Sequence, residues 1–290
     1  MSKKILITGG EGQVGLSLFS HLSSFYKINN TSRLGGINSD RLDIVKASEC
    51  DDFLKHSSPD IIVNCASYNN VDKCELNKKD AREVIVKGLN NLIKYSNKGC
   101  KIIQISSDYI FNGTKKEYLE SDNPDPINYY GKLKLEAENL LRSANRKFII
   151  LRCNAIFSPF INNKSNFLAW VYNSLKNEKH ISVVNDQISN PTPVELICEA
   201  INSLIILNSE GIYNIGTLDS ISRYDFAIKI CKKFGFKEKL IKEIYSSSLN
   251  QVAKRPYNTY LNIAKISNEL EIDIYSLDYY LNNIKADFYE

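Results

Sequence analysis

Tyr130 and Lys134 are a pair of residues whose types and spacing could transfer a proton. They lie four positions apart, and the residues that follow, 135–138, are all good helix formers. A helix would therefore place both side chains on one face. An unperturbed phenol titrates near pH ~10, and a neighbouring ammonium lowers its pKa by favouring the phenolate. We therefore expect Tyr130 to donate a proton with Lys134 beside it, although an aromatic helix face with a solvated lysine would give the same pattern.

Ser107 and Asp108 directly follow the apolar run KIIQIS at residues 101–106. If that run is a central strand, its carboxyl end lies at the edge where open α/β sheets bind ligands. The Ser107 hydroxyl could then hydrogen-bond a carbonyl oxygen. A turn or cap hydroxyl is the ordinary alternative for a serine in this place.

Three glycines at a spacing of three, Gly9, Gly12 and Gly15, follow the first apolar run and open a helical stretch. Glycine permits a tight turn and close backbone approach, and the N-terminus of the helix adds free N–H groups. A strand, this turn and a helix together predict a site for the pyrophosphate of a dinucleotide, whereas an ordinary turn would need no helix after it.

The expected end of the second strand reads Asn-Thr-Ser-Arg at residues 30–33, without the carboxylate that binds the ribose of NAD. Ser32 and the forked guanidinium of Arg33 would instead suit a 2′-phosphate. We predict NADPH as the preferred cofactor, and the use of NADH stays open. A solvated surface arginine is the alternative interpretation of Arg33.

Apolar runs at residues 4–8, 60–64, 101–106 and 147–152 alternate with helical stretches. Runs of this kind are typical of strands that are covered on both faces. The alternation predicts a Rossmann-type α/β fold, a doubly wound parallel sheet, with a smaller substrate-binding lobe after it. We expect residues 1–155 to form the dinucleotide-binding domain, joined by returning segments near 180–216, and residues 156–290 to form mainly the substrate lobe.

Composition excludes several classes of function. The net charge of +4 is spread along the chain, which argues against a nucleic-acid partner. The seven cysteines form no C-x-x-C pair and indicate free thiols in a reducing compartment. The first apolar run is too short for a signal sequence, so we expect a cytoplasmic protein that has no membrane partner. The three isolated histidines give no metal-ligand spacing, so we assign no metal.

These motifs resemble the extended short-chain dehydrogenase/reductases, and more closely the dTDP-4-dehydrorhamnose reductase family. The resemblance covers nearly the whole chain and includes SSDYIFNG at residues 106–113, DQISNPT at 186–192 and KRPYN at 254–258. It implies reduction of the C4 ketone of a nucleotide-linked 6-deoxy-4-keto sugar, in the synthesis of dTDP-rhamnose and other precursors of surface polysaccharides. Members of the family are often dimers, so a homodimer stays open.

The resemblance also implies roles for individual residues. Tyr130 would protonate the developing alkoxide, Ser107 would hydrogen-bond the same oxygen, and Lys134 would lower the pKa of Tyr130 and contact the cofactor ribose. With Tyr130 and Lys134, the implied cofactor residues are Gly9, Gly12, Gln13, Val14, Gly15, Ser32, Arg33, Asp43, Ile44, Cys65, Ala66 and Ser67. The implied substrate residues are Ser107, Asp108, Tyr109, Asn154 and Arg255.

Two positions depart from the family pattern. Ala155 stands where the family has a tryptophan that packs against the sugar, and Ile85 stands where many extended members have an asparagine. The sugar pocket is therefore altered, and a proton relay through position 85 is in doubt. The single tryptophan of the chain, Trp170, is expected to pack in the core.

Two other functions use the same fold. A nucleotide-sugar epimerase or dehydratase would use the same glycines, tyrosine and lysine with tightly held NAD. A regulatory subunit would keep the dinucleotide fold without catalysis, although Ser107, Tyr130 and Lys134 are all intact. Arg33 and the chain length favour the reductase.

Overall fold

A computed structural model of the chain describes residues 3–159, 166–270 and 272–284. The strands are β1 (Lys4–Thr8), β2 (Lys27–Ser32), β3 (Asp40–Arg41), β4 (Ile61–Asn64), β5 (Lys101–Ser107), β6 (Phe148–Cys153), β7 (Ile181–Val184), β8 (Ile188–Ser189), β9 (Gly211–Asn214), β10 (Ile221–Ser222) and β11 (Ile241–Ile244). The four apolar runs that the sequence indicates as strands are β1, β4, β5 and β6, with bounds that differ by at most one residue.

The helices connect these strands. They are α1 (Gln13–Leu22), α2 (Ala47–Ser57), α3 (Val71–Leu76), α4 (Lys78–Arg82), α5 (Gly88–Tyr95), α6 (Tyr129–Arg142), α7 (Phe167–Lys176), α8 (Val194–Ile206), α9 (Arg223–Lys233), α10 (Ala264–Leu270) and α11 (Leu277–Asn283). A π-helical turn, Glu83–Lys87, joins α4 to α5, and 3₁₀ turns cover Asp108–Ile110, Glu238–Leu240 and Ser246–Ser248. No helix of the described ranges is both long and apolar enough to span a membrane.

Seven strands form one parallel sheet in the order β3-β2-β1-β4-β5-β6-β9. The predicted doubly wound α/β fold is confirmed. The strand order reverses between β1 and β4, and the carboxyl ends of strands at such a reversal form the crevice where ligands bind. The sheet therefore places the ends of β1, β4 and β5 around one crevice.

Both faces of the sheet are covered, which explains why its strands are continuously apolar. Along β1, Ile5 and Ile7 enter the core beside α1 and α8, whereas Leu6 enters the opposite core beside α2, α5 and α6. Helix α8 and strand β9 lie in the segment that was expected to return to the sheet. Helix α10 also packs on the sheet, through Ile266.

A third apolar core lies outside the sheet. It brings together residues of α7, α9, α11 and the β7–β11 pair, including Leu168, Phe226, Ile230 and Leu277. These elements come from the part of the chain that we expect to bind substrate. The division into residues 1–155 and 156–290 stays a prediction.

A buried ion pair fastens α6 to the sheet. Arg152 on β6 donates from Nη2 and Nε to the Glu138 carboxylate on α6, at 2.8 and 3.1 Å. Ser106 on β5 donates to the same carboxylate at 2.5 Å, and Arg152 Nη1 donates to the Glu120 carbonyl at 3.1 Å. The two charged side chains are only 2% and 1% exposed. Every charged atom must therefore find its partner inside the protein.

Glu138→Gln should destabilise the protein by about 3 kcal/mol or more, because it leaves the buried guanidinium of Arg152 without its counter-charge. Urea unfolding at neutral pH would measure the change. Glu136→Gln on the same helix is the matched control, since Glu136 is 42% exposed and pairs with the exposed Arg82. The control should lose less than about 1 kcal/mol. Equal losses in the two variants would contradict the structural role of Glu138.

Candidate active site

The glycine turn between β1 and α1 lies in close contact with backbone of the segment after β4 and with its own backbone. Gly9 has φ +69°, and a Cβ added there would lie 2.7 Å from the Ala66 amide nitrogen. A Cβ on Gly15 would lie 2.4 Å from the Gly9 carbonyl oxygen. Larger residues would collide with backbone at both positions, so the turn needs glycine for its shape. The result is a cradle of exposed backbone at the start of a helix, the arrangement that holds a pyrophosphate.

Two cavities meet at this turn. Gly9 and Gly12 line both, as do Cys65 and Ser67 at the end of β4. The outer cavity, of about 540 Å³, is also lined by Ser32, Arg33, Asp43, Ile44 and Ala66. The inner cavity, of about 410 Å³, is also lined by Gln13, Val14, Gly15, Tyr130 and Lys134. The structure thus brings every residue of the expected cofactor set to one of two adjoining cavities.

We call the two adjoining cavities the cofactor groove. One buried oxygen atom supports the fit of a ligand in this groove. Among the described residues, Ser67 Oγ is buried and makes no hydrogen bond to the protein. Buried polar atoms normally have partners, so an unpaired one at a cavity wall indicates a ligand contact. Together with the glycine cradle and the Ser32–Arg33 pair, it makes the groove suitable for a dinucleotide phosphate and ribose.

The three expected catalytic residues come from two neighbouring elements. Tyr130 and Lys134 are on the first turns of α6, where Asn128 caps the helix by accepting from the Gly131 amide at 2.8 Å. Ser107 ends β5 and hydrogen-bonds the Tyr130 side chain. Lys134 Nζ lies 5.6 Å from the centre of the Tyr130 ring and donates to the Ile105 carbonyl at 3.1 Å. All three residues line the inner cavity.

Burial dominates the pKa shifts of this pair. Burial raises the pKa of Tyr130, and the hydrogen bond with Ser107 only partly opposes this. Burial also lowers the pKa of Lys134 to about 8. The net pKa shift of Tyr130 is therefore upward, because burial outweighs the group that lowers the pKa, and the lowering by Lys134 stays a prediction. The phenol stays protonated at neutral pH and is ready to act as an acid.

Asp108 is a buried carboxylate beside the catalytic serine. It lies within hydrogen-bond distance of Ser107 Oγ at 3.0 Å and accepts from Thr259 Oγ1 at 2.5 Å. Burial raises its pKa to about 6, although these hydroxyls and the charge of Arg223 act in the opposite direction. Thr259 belongs to the segment after KRPYN, so this contact joins the expected substrate lobe to the end of β5.

Two of the expected substrate residues do not line the inner cavity as the structure stands. The Tyr109 ring packs edge-on against the Tyr130 ring, with centroids 6.1 Å apart. Arg255 forms a forked ion pair with Asp72, with both N–O distances 3.0 Å. Asn154 does line the cavity, and its Nδ2 donates to Asn190 at 2.7 Å. Tyr109 and Arg255 are thus placed to support the site rather than to form its surface.

The position of Trp170 differs from the expectation that it packs in the core. It is 42% exposed and lines the inner cavity instead of packing in the core. Helix α7 buries Leu168, Val171 and Leu175 in the third core, and this spacing leaves position 170 on another face. Its neighbour Phe167 and the distant Arg223 also line the cavity. Sequence reasoning missed both, because no motif connects α7 or the start of α9 with the catalytic segment.

The two departures from the family pattern fall in different surroundings. Ala155 lines the inner cavity and has φ +40°, which is strained for a residue with a side chain. Ile85 is buried in the apolar core beneath α6. An isoleucine side chain has no polar atom, so it cannot relay a proton from that position.

Comparisons with known proteins agree on one family. The family model described as the RmlD substrate binding domain matches residues 3–289. A dTDP-4-dehydrorhamnose reductase of Aggregatibacter actinomycetemcomitans is 32% identical, with 98% of each chain covered. The spore coat polysaccharide biosynthesis protein SpsK of Bacillus subtilis is 29% identical over 88% of each chain. The crystal structure of dTDP-4-dehydrorhamnose reductase from Bacillus anthracis, in complex with NADP, superposes with a TM-score of 0.90 at 28% identity, covering 98% of this chain and 99% of that one.

Asp108→Asn should stabilise the protein at neutral pH, and the gain should disappear in acid. The pKa of Asp108 is about 6 in the folded state and 3.8 for an unperturbed aspartate, so folding takes up a proton between these values. Above pH 6 the buried carboxylate is charged and disfavours folding by up to about 3 kcal/mol, while below pH ~4 it is protonated in both states. Asparagine removes this charge and can still exchange hydrogen bonds with both hydroxyls.

Urea unfolding of the wild type and Asp108→Asn across this pH range would measure the difference. Asp80→Asn is the control, because Asp80 is exposed on α4. A stabilisation by Asp108→Asn that stays constant with pH, or that grows in acid, would contradict the assigned charge state.

Proposed function

The chain belongs to the family of the RmlD substrate binding domain, and we propose on this basis that it is an NADPH-dependent reductase of a nucleotide-linked 4-keto-6-deoxy sugar. Its product would serve the synthesis of dTDP-rhamnose or a related precursor of surface polysaccharide. One observation carries the proposal: Ser107, Tyr130 and Lys134 line the same cavity as the glycine turn. A ketone oxygen bound beside these residues would accept hydrogen bonds from both the Ser107 hydroxyl and the protonated Tyr130 phenol.

The roles of the residues follow from their positions. The glycine turn, Ser32, Arg33 and Ser67 would hold NADPH, which supplies the hydride when bound. Ser107 hydrogen-bonds the ketone oxygen, and Tyr130 transfers its phenolic proton to that oxygen as negative charge develops. Lys134 brings positive charge close to the phenol and eases the loss of its proton. Tyr130 and Lys134 are only 9% and 3% exposed.

An epimerase or dehydratase would use the same three residues, so cofactor handling separates the alternatives. No acidic residue ends β2, whereas Arg33 lines the outer cavity beside Ser32. This composition suits a 2′-phosphate and a cofactor that is released after each turnover. The regulatory-subunit alternative would leave the intact catalytic residues without a use. The homodimer and the cytoplasmic location stay predictions.

A panel of dTDP-, UDP- and GDP-linked 4-keto-6-deoxy sugars tests the class of reaction. We expect at least one to be reduced with consumption of one NADPH per sugar, measured by NADPH absorbance and product analysis. A protein that purifies with bound NAD and converts a nucleotide sugar without net cofactor consumption would instead be an epimerase or dehydratase. Tight NADPH binding without any reduction would support the regulatory subunit.

Tyr130→Phe should lower kcat by about 10²-fold or more, because it removes the proton donor and leaves the ring in place. Steady-state kinetics with the sugar that the panel identifies would measure it. Tyr129→Phe is the matched control: Tyr129 is adjacent on α6, and its backbone amide bonds to Glu75, a contact that the change leaves intact. Activity of Tyr130→Phe within about tenfold of the wild type would exclude Tyr130 as the acid.

Arg33→Ala should raise the KM for NADPH about tenfold or more, since it removes a charge-assisted contact with the 2′-phosphate. The KM for NADH, which lacks this phosphate, should not change. Arg41→Ala is the control, because Arg41 is exposed on β3 and pairs with Glu49 at 3.7 Å. Equal use of NADH by the wild type, unchanged in Arg33→Ala, would overturn the preference for NADPH.

A further inference from the structure

We propose that Arg223 binds the diphosphate of the nucleotide-sugar substrate, in a subsite whose wall it forms with Phe167 and Trp170. The proposal rests on the proposed function and deepens it. It assigns recognition of the nucleotide end of the substrate to residues that belong to no sequence motif. We call these three residues the outer wall.

The outer wall is a continuous cluster in the lining of the inner cavity. The Arg223 guanidinium lies over the Phe167 ring, 5.5 Å from its centre, and the Phe167 and Trp170 rings are 5.6 Å apart. All three residues line the cavity that contains Tyr130. The wall therefore presents one cation and two aromatic surfaces to whatever occupies the cavity.

Arg223 is held in place by the start of α9. Its backbone amide donates to the Gln187 carbonyl at 3.1 Å, and Ser222 caps the helix by accepting from the Asp225 amide at 3.0 Å. The Ser222 side chain thus already accepts a hydrogen bond from a backbone amide at the start of α9. The guanidinium, and not the helix terminus, is the group that is available to a ligand.

Arg223 is a cation of the cavity lining for which the described residues show no ion pair, although it interacts with Tyr109 and its charge acts on Asp108. Lys134, the other cation among the described lining residues, is buried and donates to a backbone carbonyl. Asp108 is the carboxylate of that lining, and its own hydrogen bonds go to Ser107 and Thr259. Among the described residues, arginine ion pairs are formed by Arg41, Arg82, Arg152 and Arg255.

The position of Arg223 matches the geometry of the substrate. Burial raises the pKa of the Tyr109 phenol, and a hydrogen bond and the charge of Arg223 oppose this. The guanidinium is thus one aromatic ring away from Tyr130, since Tyr109 packs against Tyr130. In a pyranose, C1 and C4 are at opposite corners of the ring. When C4 faces Tyr130, the diphosphate on C1 points away from it, and a forked guanidinium is well suited to two phosphate groups.

Trp170 makes the proposal directly measurable. It is the only tryptophan in the chain and belongs to the outer wall, so intrinsic tryptophan fluorescence reports on this wall alone. The experiment titrates the full-length protein, saturated with NADP⁺, with dTDP, UDP and GDP and with the matching nucleoside monophosphates. It compares the wild type with Arg223→Met and with Lys232→Ala, an exposed cation on the same helix.

We expect at least one nucleoside diphosphate to change the Trp170 fluorescence saturably. Arg223→Met should raise its Kd about tenfold or more, the effect of losing a charge-assisted contact. The Kd of the monophosphate should rise less, and Lys232→Ala should match the wild type. NADP⁺ affinity and thermal unfolding of each variant check that the fold is intact. Arg223→Gln replaces the methionine variant if the latter does not fold.

Two results would overturn the proposal. One is a Kd for every diphosphate that is the same in the wild type and the Arg223 variant. The other is no saturable response of Trp170 to any of the three diphosphates. Binding needs no turnover, so these results are separate from a failure of reduction. Arg223-dependent diphosphate binding without NADPH consumption would reject the reductase and leave the subsite standing.

Discussion

The carboxylate of Glu138 is the point where the catalytic helix is fixed to the sheet. It accepts hydrogen bonds from Ser106 on β5 and from Arg152 on β6. Ser106 directly precedes the catalytic Ser107, and Glu138 is one helical turn beyond Lys134. One buried contact therefore sets the distance between the serine and the tyrosine–lysine pair. A buried ion pair contributes little net stability compared with apolar packing, but its directional bonds tolerate only one arrangement of the three elements.

A second polar chain fixes the strands on the cofactor side. Thr8 at the end of β1 donates to Asn64 on β4 at 2.6 Å, and Asn64 donates to Gln104 on β5 at 2.7 Å. These three buried side chains cross the point where the strand order reverses. They hold the glycine turn, the end of β4 and the catalytic strand in one register. The two adjoining cavities depend on that register, because the ends of β1, β4 and β5 line the inner cavity and the ends of β1 and β4 also line the outer one.

Much of the fold and of the cofactor groove could be predicted because the information is local. The apolar runs of β1, β4, β5 and β6 reflect burial on both faces, and Gly15 is required by its contact with the backbone of its own turn. Most residues expected from contiguous motifs line the cavities for the same reason, whereas Tyr109 does not. The outer wall could not be predicted, since Trp170 and Arg223 reach the cavity only through the packing of α7 and α9 on the third core. Arg255 belongs to the motif KRPYN, but its guanidinium forms an ion pair with Asp72 and does not line the inner cavity.

Burial sets the direction of the pKa shifts at the catalytic groups and keeps the site suited to reduction. The same apolar surroundings raise the pKa of the phenol, lower that of Lys134 to about 8 and raise that of Asp108 to about 6. Each shift favours the neutral form of its group. A reductase needs a phenol that keeps its proton until an alkoxide forms beside it, and alkoxide is a far stronger base than the phenolate that remains. The buried Tyr130, with Lys134 beside it, therefore provides an acid that gives up its proton when the alkoxide forms, without a permanently ionised tyrosine.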